Sequence, residues 1–217
     1  MKLILCSEGF HTPNTVEACV RLAGKPQDKI TFAVINEAYA VEHGDKRWIL
    51  DNLNDVSRNF PAEMDIVNLL ALPLSEVEER ILQKDAIFVV GGHTDYLMSV
   101  FVKTGFDKLL PKLLESKIYV GSSAGSVVMG KRLSSKAYEI MYKEVVGYDI
   151  TKYLEFVNFS IMAHIDSKDF PGRKEKLIEA SKQNLDKIYG LRDDGAVVVD
   201  GTDISTIGSE PLVFNKR

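Results

Sequence analysis

The chain has 217 residues, 45% of them apolar and 27% charged, with a formal net charge of -4. This balance excludes a disordered or collagen-like chain. It also leaves no basic excess to attract a phosphate backbone, so nucleic acid is not an expected partner.

Short apolar runs bounded by turn or charged residues predict strands at Lys2–Cys6, Lys29–Ile35, Asp65–Leu70, Ala86–Val90 and Lys117–Val120. The first could be mistaken for a lipoprotein cleavage box. The apolar run before Cys6 is only three residues long, Leu3–Leu5, however, whereas a signal peptide needs about 7–15. Between the strands, helices are predicted at Thr15–Leu22, Asp45–Arg58, Ser75–Lys84, Thr94–Lys103 and Phe106–Glu115. The second carries Trp48, Leu50, Leu53 and Val56 as its apolar positions, and the third opens on a cap residue, Ser75, and an acidic first turn. Past residue 130 a polar stretch runs to about Lys143. A strand near Phe156–Met162 and a helix at Arg173–Lys187 follow. Val197–Val199 and Ile204–Ile207 flank Asp200-Gly201 as a closing hairpin.

Strand–helix–strand alternation predicts a largely parallel sheet covered on both faces. No Pro/Gly/Ser-rich linker or repeat divides the chain, so residues 1–217 read as a single domain. A chain this long buries about 70% of its unfolded surface and needs no metal or disulfide to hold a core. Cys6 and Cys19 form no CxxC pair, which suits a reducing, cytoplasmic setting. No apolar run approaches the roughly 18 residues of a membrane span, so no membrane partner is expected.

The stretch Ile118–Gly130, IYVGSSAGSVVMG, carries the most chemistry. An apolar strand runs into Gly121-Ser122-Ser123-Ala124-Gly125 and then into a helix, the context required of a G-x-S-x-G nucleophile elbow. Small neighbours let the turn tighten, and Ser123 projects at the helix start. There the Ala124 N–H can stabilise negative charge. A second loop, Gly91-Gly92-His93-Thr94, follows another strand, and Gly92 or its neighbour is positioned to complete an oxyanion hole. It lacks both the dinucleotide pattern and the P-loop ending.

A serine nucleophile needs a base, and the histidines are His11, His43, His93 and His164. Parallel-sheet sites gather at strand C-termini, which favours His93 and His164. His164 lies far enough beyond Ser123 to return to the same sheet edge. The orienting acid is open among Glu139, Glu144, Asp149, Glu155, Asp166, Asp169, Asp193 and Asp194, with Asp193 and Asp194 in a turn between two strand-like runs. No H-E-x-x-H pair occurs, so neither metal nor cofactor is expected.

The GSSAGS elbow, the VVGGHT loop, the FSIMAHID strand and the YGLRDDGAVVV segment occur in the order seen in the peptidase E and cyanophycinase family of serine peptidases, which the chain resembles over most of its length. Its length suits the peptidase E branch and a bacterial member. The resemblance implies a three-layer α/β/α sandwich similar to the class I glutamine amidotransferase domain. It implies Ser123 as nucleophile, His164 as base, and the backbone at Gly92 and Ala124 as oxyanion hole. Well-known members cleave dipeptides with N-terminal aspartate and bind its carboxylate with an arginine after the histidine, for which Arg173 is the nearest match. Two departures stand out. The family commonly has Asn where His93 follows the diglycine. The family acid, often Glu in the GLRDDG turn, is matched by the shorter Asp193, with Glu139 as the alternative.

A small peptide is thus the expected substrate. Two other readings stay open: an esterase or amidase, and a weakly active or non-catalytic small-molecule binding protein on the same scaffold. Dimers are common among such enzymes, so a homodimer also stays open, although no surface stripe in the sequence points to one.

Overall fold

The computed structural model describes residues 1–142 and 147–215. In chain order its elements are β1 (Lys2–Cys6), α1 (Pro13–Ala23), β2 (Phe32–Ile35), α2 (Arg47–Asn59), β3 (Met64–Ile66), α3 (Leu74–Leu82), β4 (Ala86–Val89), α4 (Thr94–Thr104), α5 (Phe106–Leu113), β5 (Ile118–Ser122), α6 (Ala124–Val127), α7 (Ser135–Met141), β6 (Ser160–Met162), α8 (Arg173–Ser181), β7 (Ile188–Gly190), β8 (Ala196–Asp200), β9 (Asp203–Ile207) and β10 (Leu212–Phe214). Short 3₁₀ turns sit at Gln27–Lys29 and Glu37–Tyr39.

Seven strands form one sheet in the order β3-β2-β4-β5-β1-β8-β9. The first five are mutually parallel, whereas β8 runs antiparallel to β1 and β9 antiparallel to β8. Side-chain alternation sends Leu3, Leu5, Ala33, Ile35, Ile87, Val89 and Tyr119 to one face, which α3, α4, α5 and α6 cover. Ile4, Phe32, Val34, Phe88 and Val120 point to the other, under α1 and α2. The result is a three-layer α/β/α sandwich. A second sheet, β10-β7-β6, packs with α7 and α8 through Met162, Ile165, Leu177 and Ile188.

Several elements differ from the sequence reading, each for a local reason. The strand predicted at Lys29–Ile35 starts only at Phe32, because Thr31 N–H and hydroxyl donate to the Asp85 carboxylate (2.9 and 3.0 Å). The strand predicted at Asp65–Leu70 ends at Ile66, and the Asn68 side chain turns the chain by accepting from Leu70 and Ala71 N–H (3.0 and 2.8 Å). Pro73, not Ser75, is the N-cap of α3. The polar stretch after residue 130 contains α7, capped by Ser134; Lys143 and Glu144 lie outside the described residues. The strand near Phe156 is confined to Ser160–Met162, because Val157 and Phe159 bond instead to the backbone of Met129 and Lys131 after α6. The helix predicted to Lys187 stops at Ser181, whose hydroxyl bonds back to the Ile178 carbonyl (2.8 Å), and β7 follows.

The two elbow glycines are required by close approach. A Cβ on Gly121 would lie 2.5 Å from the Gly125 carbonyl carbon, and one on Gly125 would lie 2.2 Å from the Val89 oxygen. Both obstacles are backbone and cannot swing aside. Gly125→Ala is therefore expected to lower unfolding free energy by about 2–3 kcal/mol or more. Gly147→Ala, where a Cβ meets nothing, is expected to change it by less than about 0.5 kcal/mol. Denaturant midpoints of the two variants check this.

Candidate active site

Strand direction assembles the site. β1, β4 and β5 are parallel, so the residues after them, Ser7-Glu8, Gly91-Gly92 and Ser123, leave the sheet at one edge. β8 runs the other way with Ala196 opposite Cys6, so the residues just before β8 arrive at that same edge. In the second sheet, parallel β6 and β7 place Met162 opposite Gly190. His164 and Asp193, shortly beyond those positions, therefore emerge side by side.

Ser123 is the one residue between Ile118 and Gly130 that is not buried. Its backbone has φ 47° and ψ -111°, a strained conformation for a residue with a side chain, and it is the N-cap of α6. Its N–H donates to the carbonyls of Cys6 and Ser7 (3.1 and 3.0 Å). Ser126 Oγ, bonded to the Cys6 and Gly121 carbonyls, and Tyr119 OH, bonded to the Gly125 carbonyl, brace the turn.

His164 is also at positive φ, 61°. Its N–H donates to Ser7 Oγ at 2.9 Å. Its Nδ1 lies 2.7 Å from Asp193 Oδ1, which leaves Nε2 for a reacting partner. No hydrogen bond joins the Ser123 hydroxyl to this imidazole among the described residues; Ser7 ties the two backbones together. Partial burial works to raise the Asp193 carboxyl, but the hydrogen bond and charge of His164, with the Ser167 and Ser7 hydroxyls, outweigh it and hold the group below its ordinary value. Glu8 stands 3.9 Å from the same Nδ1. Burial, and then repulsion from Asp193, push its carboxyl above the ordinary value. Ser7 and Glu8 are absent from the sequence reading. Their one signal was position, directly after a buried strand of a parallel sheet. Glu8, His164 and Asp193 offer three ligand-type atoms within 4.8 Å, but a metal there would compete with the His164–Asp193 hydrogen bond.

Facing Ser123 is the diglycine loop. A Cβ on Gly91 would lie 3.0 Å from Ser123 Cβ, and one on Gly92, at φ 134°, would lie 2.4 Å from the Ala38 carbonyl. His93 N–H is engaged by the Ala38 carbonyl at 2.9 Å, while Gly92 N–H has no backbone acceptor among the described residues. Ala124 opens α6, so its N–H has no acceptor within the helix. Gly92 and Ala124 are thus among the N–H donors left open beside Ser123 among the described residues. His93, standing where the family commonly has Asn, caps α4 by accepting Tyr96 N–H on Nδ1 (3.2 Å). Buried Asp95, in the same helical turn, receives Tyr153 OH at 2.6 Å and Arg132 at 3.0 Å, which fixes the loop's helix.

Arg173 is the first residue of α8, half-buried, with a guanidinium N–H on Tyr142 OH at 3.4 Å and a buried Nε without a partner among the described residues. Glu139 is exposed on α7 and makes no bond to His164 among the described residues, whereas Asp193 does. Asp194 binds Ser209 instead, and Asp166 pairs with Arg192 and Lys174. His11 is exposed beside Asp55. Both cysteines are buried, and burial pushes their thiols up, that of Cys19 to about 12, so neither offers a thiolate at neutral pH. No helix among the described residues is long and apolar enough to cross a membrane.

Comparison with known proteins bears on this geometry. An uncharacterized peptidase from Listeria monocytogenes is 27% identical over 134 residues, 61% of this chain and 65% of that protein, so the match spans less than two thirds of that relative. One from Pasteurella multocida is 26% identical over 188 residues, 85% of this chain and 87% of the relative. Peptidase E of Streptomyces coelicolor is 30% identical over 146 residues, 64% of this chain and 56% of the relative. The crystal structure of a candidate peptidase E protein from Listeria monocytogenes superposes with a TM-score of 0.76 at 23% identity, covering 95% of this chain and 97% of that one. A peptidase from an acI-B1 actinobacterium gives 0.65 at 19%, covering 96% and 87%. These two likenesses carry the fold alone. Residues 3–207, from β1 through β9, match peptidase family S51, and the chain belongs to that family of serine-type peptidases.

Proposed function

We propose that this serine-type peptidase hydrolyses small peptides, with preference for dipeptides bearing N-terminal aspartate, by acyl transfer through Ser123. The observation that carries the reading is the 2.7 Å contact of His164 Nδ1 with Asp193, at the sheet edge where Ser123 projects. The contact supplies the imidazole with the orienting acid that a triad needs, which supports hydrolysis over a non-catalytic binding role.

In the proposed mechanism Ser123 Oγ attacks the scissile carbonyl and its proton passes to His164 Nε2. Asp193 holds the Nδ1 proton and stabilises the imidazolium. Gly92 and Ala124 N–H receive the oxyanion. The C–N bond then breaks as Nε2 protonates the leaving amine. A water attacks the acyl ester, gives its proton to Nε2, and Ser123 leaves with that proton. The serine–imidazole hydrogen bond is expected to close with substrate bound, since such bonds are often long in the ligand-free state.

Arg173 supports the aspartate preference. A cation at the first position of a helix opposes the helix dipole, and its Nε lacks a partner. A substrate carboxylate relieves both and matches the guanidinium fork.

Ser123→Ala is expected to lower kcat/KM on an Asp-Leu dipeptide by about 10⁴-fold or more without loss of fold; retained turnover would exclude Ser123. Arg173→Ala is expected to raise KM for Asp-Leu by about 10- to 100-fold and leave Ala-Leu nearly unchanged, which steady-state kinetics on the pair measures. The Asp193 carboxyl, held below its ordinary value, contributes stability that is full above the unfolded carboxylate pKa of about 3.9. That contribution is lost as pH falls through the lower native value. Glu8, raised, acts with opposite sign: its ionisation costs stability as pH rises above the ordinary value. The stability difference between wild type and Asp193→Asn should therefore shrink below about pH 4, which denaturant titrations from pH 3 to 7 report.

A further inference from the structure

Beyond His164 the chain descends in three successive turns. Ser167 N–H donates to the His164 carbonyl (3.4 Å), Phe170 N–H to the Ser167 carbonyl (3.2 Å), and Arg173 N–H to the Phe170 carbonyl (3.2 Å). These turns bring His164, Phe170 and Arg173 to one place on the segment. Their side chains meet there. The Phe170 ring centroid is 4.8 Å from that of His164, with the planes 21° apart. Arg173 Cζ is 4.6 Å from the same Phe170 centroid. Phe170 is nonetheless 43% exposed, so the core does not account for a phenyl ring at this place. The rim of the site does: one ring rests against both the imidazole and the guanidinium.

We propose that Phe170 is a positioning residue that sets the imidazole of His164 and the guanidinium of Arg173 against one ring, so that an acidic substrate side chain seated on Arg173 steadies the base in its working orientation. The proposal rests on the reading of Arg173 as a carboxylate anchor. Its physical basis is simple. Asp193 fixes one ring nitrogen of His164, but a single hydrogen bond leaves the imidazole free to tilt about that contact. A stacked phenyl ring removes the tilt. The same ring carries the cation through its π face, while Tyr142 OH holds a second edge of the guanidinium. Displacing the ring therefore disturbs both groups. Small misplacements of a base cost rate steeply, about 10²-fold for 1 Å.

The test compares wild type, Phe170→Leu, Phe170→Tyr and Arg173→Ala on Asp-Leu and Ala-Leu dipeptides, with thermal midpoints and the NMR shifts of the labelled His164 ring protons. Phe170→Leu is expected to lower kcat on both substrates by about tenfold and to reduce the Asp-Leu over Ala-Leu preference in kcat/KM by about tenfold. Loss of the ring current also moves the His164 ring protons downfield. Phe170→Tyr, which keeps the ring, is expected to stay within about twofold of wild type on every kinetic measure. If the leucine variant is unstable, Phe170→Met, which fills the space without a ring, takes its place. Phe170→Leu with wild-type kcat and preference, in an enzyme whose preference Arg173→Ala abolishes, would overturn the coupling. So would a loss of kcat with the preference intact. Unchanged preference in Arg173→Ala would instead end the aspartate reading, and the coupling with it.

Discussion

Everything at the sheet edge hangs on Ser7, the first residue after β1. Its carbonyl accepts the Ser123 N–H, its hydroxyl accepts the His164 N–H, and its own N–H donates to the Gly195 carbonyl. One buried residue thus holds the strand that bears the nucleophile, the segment that bears the base, and the turn that bears the acid. Ser123 and His164 both occupy positive-φ conformations, which cost about 1–3 kcal/mol each. Buried hydrogen bonds to one rigid strand end, each worth about 1 kcal/mol net, together with the close packing around them, hold those conformations in place. At the site two residues carry this strain, and the strands beneath keep regular ladders.

The antiparallel turn of β8 against β1 matters as much as the parallel strands. A doubly wound sheet delivers only the residues that follow its strands to the site edge. Asp193 precedes a strand, and it reaches that edge because β8 enters the sheet in the opposite direction. The second sheet adds a parallel register, Met162 beside Gly190, that sets base and acid side by side. The seven-stranded and the three-stranded sheet therefore meet at one imidazole. The two carboxyls next to it, Asp193 and Glu8, are pushed in opposite directions: the one hydrogen-bonded to the imidazole is favoured ionised, and the half-buried one beside it is not.

Local signals were strong where the chemistry is local. The elbow was legible at Gly121 to Gly125 because backbone contact admits no Cβ at either glycine, and such positions leave a glycine in the sequence. The hairpin around Asp200-Gly201 was legible for a similar reason, since its turn residues lie between two apolar runs. Other short elements were less legible. β7 and β10 have three residues each, too few for a period to register; β6 was read at its place but with too early a start; and α7 lay inside a polar stretch because only Ala137 and Met141 of its residues are buried. Helix α8 ended early because the Ser181 hydroxyl bonds back to the Ile178 carbonyl, a local competition that apolar spacing does not record.

Composition and pattern by themselves determined a parallel α/β sheet, a strained serine at a strand-to-helix turn, and a short list of histidines and acids. They determined these because periodicity and glycine placement are written in neighbouring residues. Which acid meets the base was decided only by tertiary structure. Glu139 and Asp193 are both carboxylates within reach in sequence, yet strand direction places one in solvent and the other 2.7 Å from His164. Ser7, Glu8 and Phe170 likewise took on their places only when distant segments met, since contacts among residues 7, 164, 170 and 193 have no period along the chain.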